Sequence, residues 1–165
     1  YPMLVEHPDT RLISGLAIEA GSYLQELFQK GRLKKDFSPL PLRIGYHEPC
    51  HLRALQSGRP LRELLDQIPE LDVRTLDKGC SGMAGTFGLT RENFDLSLEI
   101  GQPLIEEMRS PDFILGATEC SSCRLQMQQD SPLETVHPIK LLAASYGLMP
   151  KLRDRLTKAV TATES

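Results

Sequence analysis

This sequence predicts an α/β fold: a mainly parallel sheet of about four strands with flanking helices, preceded by an N-terminal helical arm. Three observations lead to that expectation. Short apolar runs alternate with stretches of helical periodicity between residues 42 and 148. Gly, Pro or small polar residues close nearly every run. No internal repeat of solenoid length is visible.

The elements follow in order. Asp9 can cap a first helix in which Leu12, Ile13, Leu16, Ala20, Tyr23, Leu24, Leu27 and Phe28 recur at helical spacing, with Gly31 as its stop. Ser38-Pro39-Leu40-Pro41 reads as a linker. Leu42 to Tyr46 is a short buried strand, and His47 to His51 a loop after it. Arg59 to Ile68 carries Leu61, Leu64, Leu65 and Ile68 at helical spacing. Leu71 to Leu76 alternates apolar and polar residues as a second strand. A loop with Gly79, Gly82, Gly85 and Gly88 comes next. Thr90 can cap a helix whose inner face is Phe94, Leu98, Leu104, Ile105 and Met108, with Gly101 and Pro103 expected to bend it. Phe113 to Ala117 is a third strand, and the chain turns from Cys120 into a helix with Leu125 and Met127. Glu134 to Val136 is a weak fourth strand, and His137-Pro138 opens a last helix stopped by Gly147 and Pro150. The resulting division is a helical arm or linker from an upstream module at 1–40, an α/β domain at 41–150, and a polar tail at 151–165 that frays after Leu156.

Composition narrows the function. The 165 residues fit one domain, and the 40% apolar fraction can build a core. A net charge of -3 argues against a nucleic-acid partner, which requires clustered Lys and Arg. No apolar run approaches the ~20 residues of a membrane helix. The first helix is amphipathic, but its polar face is not basic, so an interdomain contact is expected before a membrane surface. The chain opens on Tyr1, so a fragment or processed product is expected.

The four cysteines, Cys50, Cys80, Cys120 and Cys123, carry the chemistry. Without a sign of secretion they read as metal ligands or redox thiols in a reducing, cytoplasmic setting; structural disulfides and inert buried thiols are the alternatives. Cys50 follows the first strand, Cys80 the second, Cys120 and Cys123 the third, and His137 the fourth. In a parallel sheet these positions share the carboxyl edge, where open α/β folds place ligands. Thiolates suit iron–sulfur clusters and zinc. The CxxC at a helix start supplies two sulfurs from one turn, and helix amides favour thiolate there. The glycines, Gly82 among them, let backbone N–H groups approach a cluster; a plain tight turn is the alternative. The loop lacks the Lys-Ser/Thr ending of a phosphate-binding loop. His137 can be a ligand, a proton donor, a partner of a cluster sulfur, or a helix cap. His47 and His51 straddle Cys50, and Arg53 and Arg124 can offset cluster charge. Glu48 and Glu119 can relay protons or stand as surface carboxylates, and Met83 to Phe87 can shape a ligand pocket or simply pack.

GYHEPCHLRAL at 45–55, GCSGMAGTFG at 79–88, TECSSCRLQMQQ at 118–129 and HPIKLLA at 137–143 together resemble the cysteine-rich, or CCG, domain family. That pattern is Cys, then Cys-Cys-Gly, then CxxC. It occurs in the cysteine-rich subunit of heterodisulfide reductase, in iron–sulfur subunits of anaerobic glycerol-3-phosphate, glycolate and lactate dehydrogenases, and in proteins fusing an FAD-linked oxidase to an iron–sulfur module. The resemblance spans residues 42–148. It is strongest to the branch that holds the iron–sulfur subunit of anaerobic glycerol-3-phosphate dehydrogenase and the fused oxidases. It implies an iron–sulfur centre on Cys50, Cys80, Cys120 and Cys123, and FAD in the full-length protein or a partner protein. It also implies upstream cysteine-rich and ferredoxin-like modules and electron flow from flavin toward a quinone or another acceptor. Such partners would place the chain at the inner membrane as a peripheral component. One departure matters: Cys-Cys-Gly is here Cys80-Ser81-Gly82, with 29 residues between Cys50 and Cys80 and 39 between Cys80 and Cys120. In heterodisulfide reductase five Cys of the motif hold a noncubane cluster. The four thiols here suffice for a [4Fe–4S] cluster or tetrahedral Zn, and Ser81 reads as a turn residue.

Overall fold

The computed structural model describes residues 4–163. Four strands form the expected sheet: β1 (Leu42–Tyr46), β2 (Leu71–Thr75), β3 (Leu115–Ala117) and β4 (Thr135–Val136). Their order is β2-β1-β3-β4 and every pairing is parallel. Ile44 sits opposite both Val73 and Leu115, and Gly45 opposite Gly116. The central strands are buried, as expected for a parallel sheet covered on both faces.

Among the described residues eight α-helices connect and cover the strands: α1 (Pro8–Leu16), α2 (Ala20–Gln29), α3 (Cys50–Leu55), α4 (Pro60–Leu65), α5 (Phe94–Glu107), α6 (Ser121–Met127), α7 (Pro138–Ser145) and α8 (Pro150–Thr163). Strand alternation sorts the core into two parts. Leu42, Ile44, Tyr46, Leu115 and Ala117 face a cluster with Leu61, Leu64 and Leu65 of α4, Leu141 and Leu142 of α7, and Leu152 and Leu156 of α8. A side chain at Gly45 would meet Leu76, and one at Gly116 would meet Met108 and Met127. Leu76, Met108 and Met127 belong to the second cluster, with Leu104 and Phe113. Helices α5 and α6 therefore pack on that face.

Sequence expectations at the N-terminus change. The N-terminal helix is two helices, broken between Leu16 and Ala20. The caps are His7, which accepts from Asp9 N, and Glu19, which accepts from Gly21 N and Ser22 N, rather than Asp9. Leu24 and Phe28 of α2 pack on the first cluster, and Phe37 and Leu40 are part of it. Most of 151–165 is helical. Helix α8 runs to Thr163, because Leu152 and Leu156, four apart, bury one stripe, with Val160 packed one turn further on. Smaller shifts are local. Cys50 already begins α3, and Asn93 rather than Thr90 precedes α5. Helix α5 runs on past Gly101 and Pro103.

Candidate metal centre

The sheet order reverses between β1 and β3, since β2 lies outside β1 and β4 outside β3. Strand ends on either side of such a switch point diverge and open a crevice. The ladder continues past the strands: His47 N–H donates to the Ala117 carbonyl at 2.9 Å, and Thr118 N–H to that of Val136 at 3.1 Å. The cysteines leave from these anchored ends. Cys50 starts α3, Cys120 caps α6, Cys123 lies in its first turn, and Cys80 sits in the loop after β2. All four line one cavity of about 180 Å³, together with His47, His51, Arg53, Ser81, Met83, Ala84, Gly85 and Ser122. All four are free thiols: Cys50 exposed, Cys80 and Cys120 intermediate, Cys123 buried.

The loop carrying Cys80 is pressed onto α5 by two glycines. Gly82 has φ +86°, and a Cβ there would lie 2.0 Å from the Ser97 carbonyl oxygen. A Cβ on Gly101 would lie 2.4 Å from the Ser81 carbonyl oxygen. Gln126 of α6 fastens the same place, donating Nε2–H to the Ser97 carbonyl at 2.8 Å. So seated, Gly82 donates its N–H to Cys80 Sγ at 3.3 Å. Ser81 is 1% exposed and donates its hydroxyl to Cys123 Sγ at 3.2 Å. Ser81 is therefore more than a turn residue. Burial pushes the Cys123 thiol well above its ordinary range; the Ser81 hydrogen bond opposes this, and the charge of Cys120 adds to it.

The other candidates separate. His47 is buried, and burial followed by the nearby Arg53 charge lowers its pKa to about 4. His51 lines the same cavity from the exposed side of α3. Arg53 is in the lining and Arg124 is not. His137 is not in the lining either; its Nδ1 accepts from Ile139 N–H at 3.2 Å and caps α7. Glu48 and Glu119 are not open surface carboxylates: Glu48 pairs with Arg59 at 2.8 Å, and Glu119 accepts from the Tyr46 hydroxyl at 2.9 Å. Burial raises Glu119 to about 7 against that hydrogen bond. The Ser81, Gln126 and Glu119 contacts were not anticipated. The signal for Ser81 was a small polar residue standing where the motif has a thiol.

The profile of the family described as "Cysteine-rich domain" (CCG) matches residues 44–128. The chain belongs to the CCG family. Its Cys50, Cys80, Cys120 and Cys123 all fall inside the matched segment, and His137 falls outside it. CCG relatives include one subunit of the anaerobic glycerol-3-phosphate dehydrogenase of Escherichia coli (strain K12), 40% identical over 66% of this chain and 28% of that protein. An uncharacterized iron-sulfur protein of Methanocaldococcus jannaschii is 28% identical over 76% of this chain and 27% of its own length. One subunit of the fumarate reductase (CoM/CoB) of Methanothermobacter marburgensis is 26% identical over 63% of this chain and 22% of its own length. The chain thus spans about a quarter of the length of these relatives. No solved structure is significantly similar to it. Among the described residues no helix is long and apolar enough to cross a membrane.

The residues can be tested against the group that the resemblance implies. Zinc requires its ligands to converge on one point, with sulfurs ~2.3 Å from it. Among the described residues no group of three or more His, Cys, Asp or Glu side chains is placed to hold a single metal ion. A cubane cluster takes its thiolates at separate corners, which suits four thiols around a cavity of about 180 Å³. Four thiols around one cavity are a donor set that fits an iron–sulfur cluster.

Proposed function

We propose that this chain is an electron-transfer domain whose Cys50, Cys80, Cys120 and Cys123 hold a [4Fe–4S] cluster. The observation that carries the reading is the gathering of four thiols from three strand ends around one cavity. Its likeness to an iron-sulfur protein and to a component of a dehydrogenase supports it. Bound there, a cluster supplies one-electron transfer. The chain's own residues hold and screen it. Gly82 N–H and the Ser81 hydroxyl direct hydrogen bonds at Cys80 and Cys123. Arg53 in the lining offsets thiolate charge, and buried Met83 closes the apolar side against water.

The wider setting follows from the same likeness. The domain serves as the C-terminal electron-transfer part of an FAD-linked oxidoreductase acting on glycerol-3-phosphate or a 2-hydroxy acid, with electrons passing toward a quinone or other acceptor. Upstream cysteine-rich and ferredoxin-like modules and a flavin module are its partners. It works in the cytoplasm, and its partners hold it at the inner membrane. A thiol-redox role for the CxxC would leave Cys50 and Cys80 dispensable, whereas the cluster reading requires all four thiols around the cavity.

Anaerobic reconstitution tests the assignment. The expected product is brown, absorbs broadly at about 400 nm, and carries about four iron and four sulfide per chain. Stoichiometric zinc with no iron under the same conditions would overturn it.

A further inference from the structure

We propose that His47 is a fifth protein partner of the centre: its imidazole donates a hydrogen bond to a sulfur of the cluster that the four cysteines hold. The inference rests on the iron–sulfur reading above and adds to it a residue outside the thiol set.

Two independent observations point to it. His47 lines the cavity with the four cysteines and is only 2% exposed. Its Nδ1 is fully buried and has no hydrogen-bond partner. Buried polar atoms in native folds are nearly always paired, because an unpaired one costs ~1–3 kcal/mol. Ser81, in the same lining, follows that rule and reaches Cys123. Nδ1 of His47 is thus a buried polar atom at the site without a protein partner. The chain also fixes its place, since its backbone N–H bonds the Ala117 carbonyl at 2.9 Å and Pro49 follows two residues later. The ring is neutral at ordinary pH, as its lowered pKa indicates, so it carries one N–H donor and no charge. Sulfides and thiolates are acceptors for such a donor, and hydrogen bonds to sulfur set cluster potentials. His51, on the same lining, is exposed and has water available.

The test compares the reconstituted wild-type chain with His47→Leu. The expected result is unchanged iron and sulfide per chain, a reduction potential shifted to more negative values, and a melting temperature of the metal-free form that is unchanged or higher. A variant with the wild-type potential overturns the proposal. So does a metal-free form that melts much earlier, which would make His47 a folding residue. If His47→Leu does not fold, pulsed EPR decides on the reduced chain with 15N-labelled histidine in a His51→Ala background. Nitrogen coupling to the cluster supports the contact, and its absence overturns it. A wild-type chain that takes up no iron defeats the iron–sulfur reading, and this proposal with it. A loaded chain that fails only the His47 comparisons leaves that reading standing.

Discussion

The hydroxyl of Ser81 lies 3.2 Å from the sulfur of Cys123 and donates to it, and both residues are buried. A side chain from the loop after β2 therefore meets one from the first turn of α6 where the family motif would supply another thiol. Ser81→Cys is expected to fold and to bind as much iron as the wild type, because the site already has the geometry for a sulfur. Iron and sulfide analysis after reconstitution checks this; a collapse of metal content would count against the placement. Ser81→Ala is expected to cost the metal-free chain about 1 kcal/mol in urea unfolding, the net worth of one buried hydrogen bond.

Gly82→Ala is expected to damage both fold and site. The added methyl would lie 2.0 Å from the Ser97 carbonyl oxygen at a φ of +86°. The obstacle is backbone, so relief requires moving the Cys80 loop off α5, at a cost of about 2 kcal/mol or more. Gly101→Ala should act alike through the Ser81 carbonyl. Denaturant midpoints and iron content are expected to fall together in both variants.

The metal-free chain should alkylate in order of exposure. Cys50 is exposed, Cys80 and Cys120 are intermediate, and Cys123 is buried. Mass spectrometry after brief iodoacetamide treatment should find Cys50 modified first and Cys123 last. Early modification of Cys123 would contradict the packing of α6 under Ser81.

His137 is expected to behave as a cap. His137→Ala should lower stability by ~1 kcal/mol, and His137→Asn, which keeps an acceptor at the N-cap, should restore most of it with iron content unchanged in both. Burial lowers the His137 pKa from 6.5, with a smaller opposing contribution from Glu19. The folded value is therefore depressed. Its contribution is complete above about 6.5 and is lost as pH falls through the folded value, because protonation removes the Nδ1 lone pair. The wild-type advantage over His137→Ala should shrink across that acid window. Loss of iron in His137→Asn would show that the residue binds the centre after all.

Leu152→Ala tests the C-terminal helix. Leu152 is 4% exposed and packs in the first core cluster, so truncation should cost about 2–4 kcal/mol. A fraying tail would give almost none. Urea unfolding of the metal-free chain distinguishes the two.

Much of the site could be read along the chain. The alternation of apolar runs and helical stretches gave the strand count, and thiols after three successive strands had to share one edge once the sheet was parallel. What failed depended on contacts distant in sequence. Asp9 resembled a cap, but His7 and Glu19 perform that role where the chain breaks into two helices. His137 had several readings from its position, and the bond to Ile139 N–H selects one. Glu119 is distinguished from a surface carboxylate only by Tyr46, 73 residues earlier.

By itself, then, the sequence determined the α/β class, the edge on which Cys50, Cys80, Cys120 and Cys123 meet, and the family to which their spacing belongs. Strand and helix periods are local properties, and parallel topology converts order along the chain into position along an edge. Tertiary structure alone decided that Ser81 faces Cys123, that Gly82 and Gly101 clamp the Cys80 loop to α5, and that Nδ1 of His47 is buried without a partner. Those outcomes depend on how two layers of helices close on the sheet, a packing relation between residues that no short window of sequence contains.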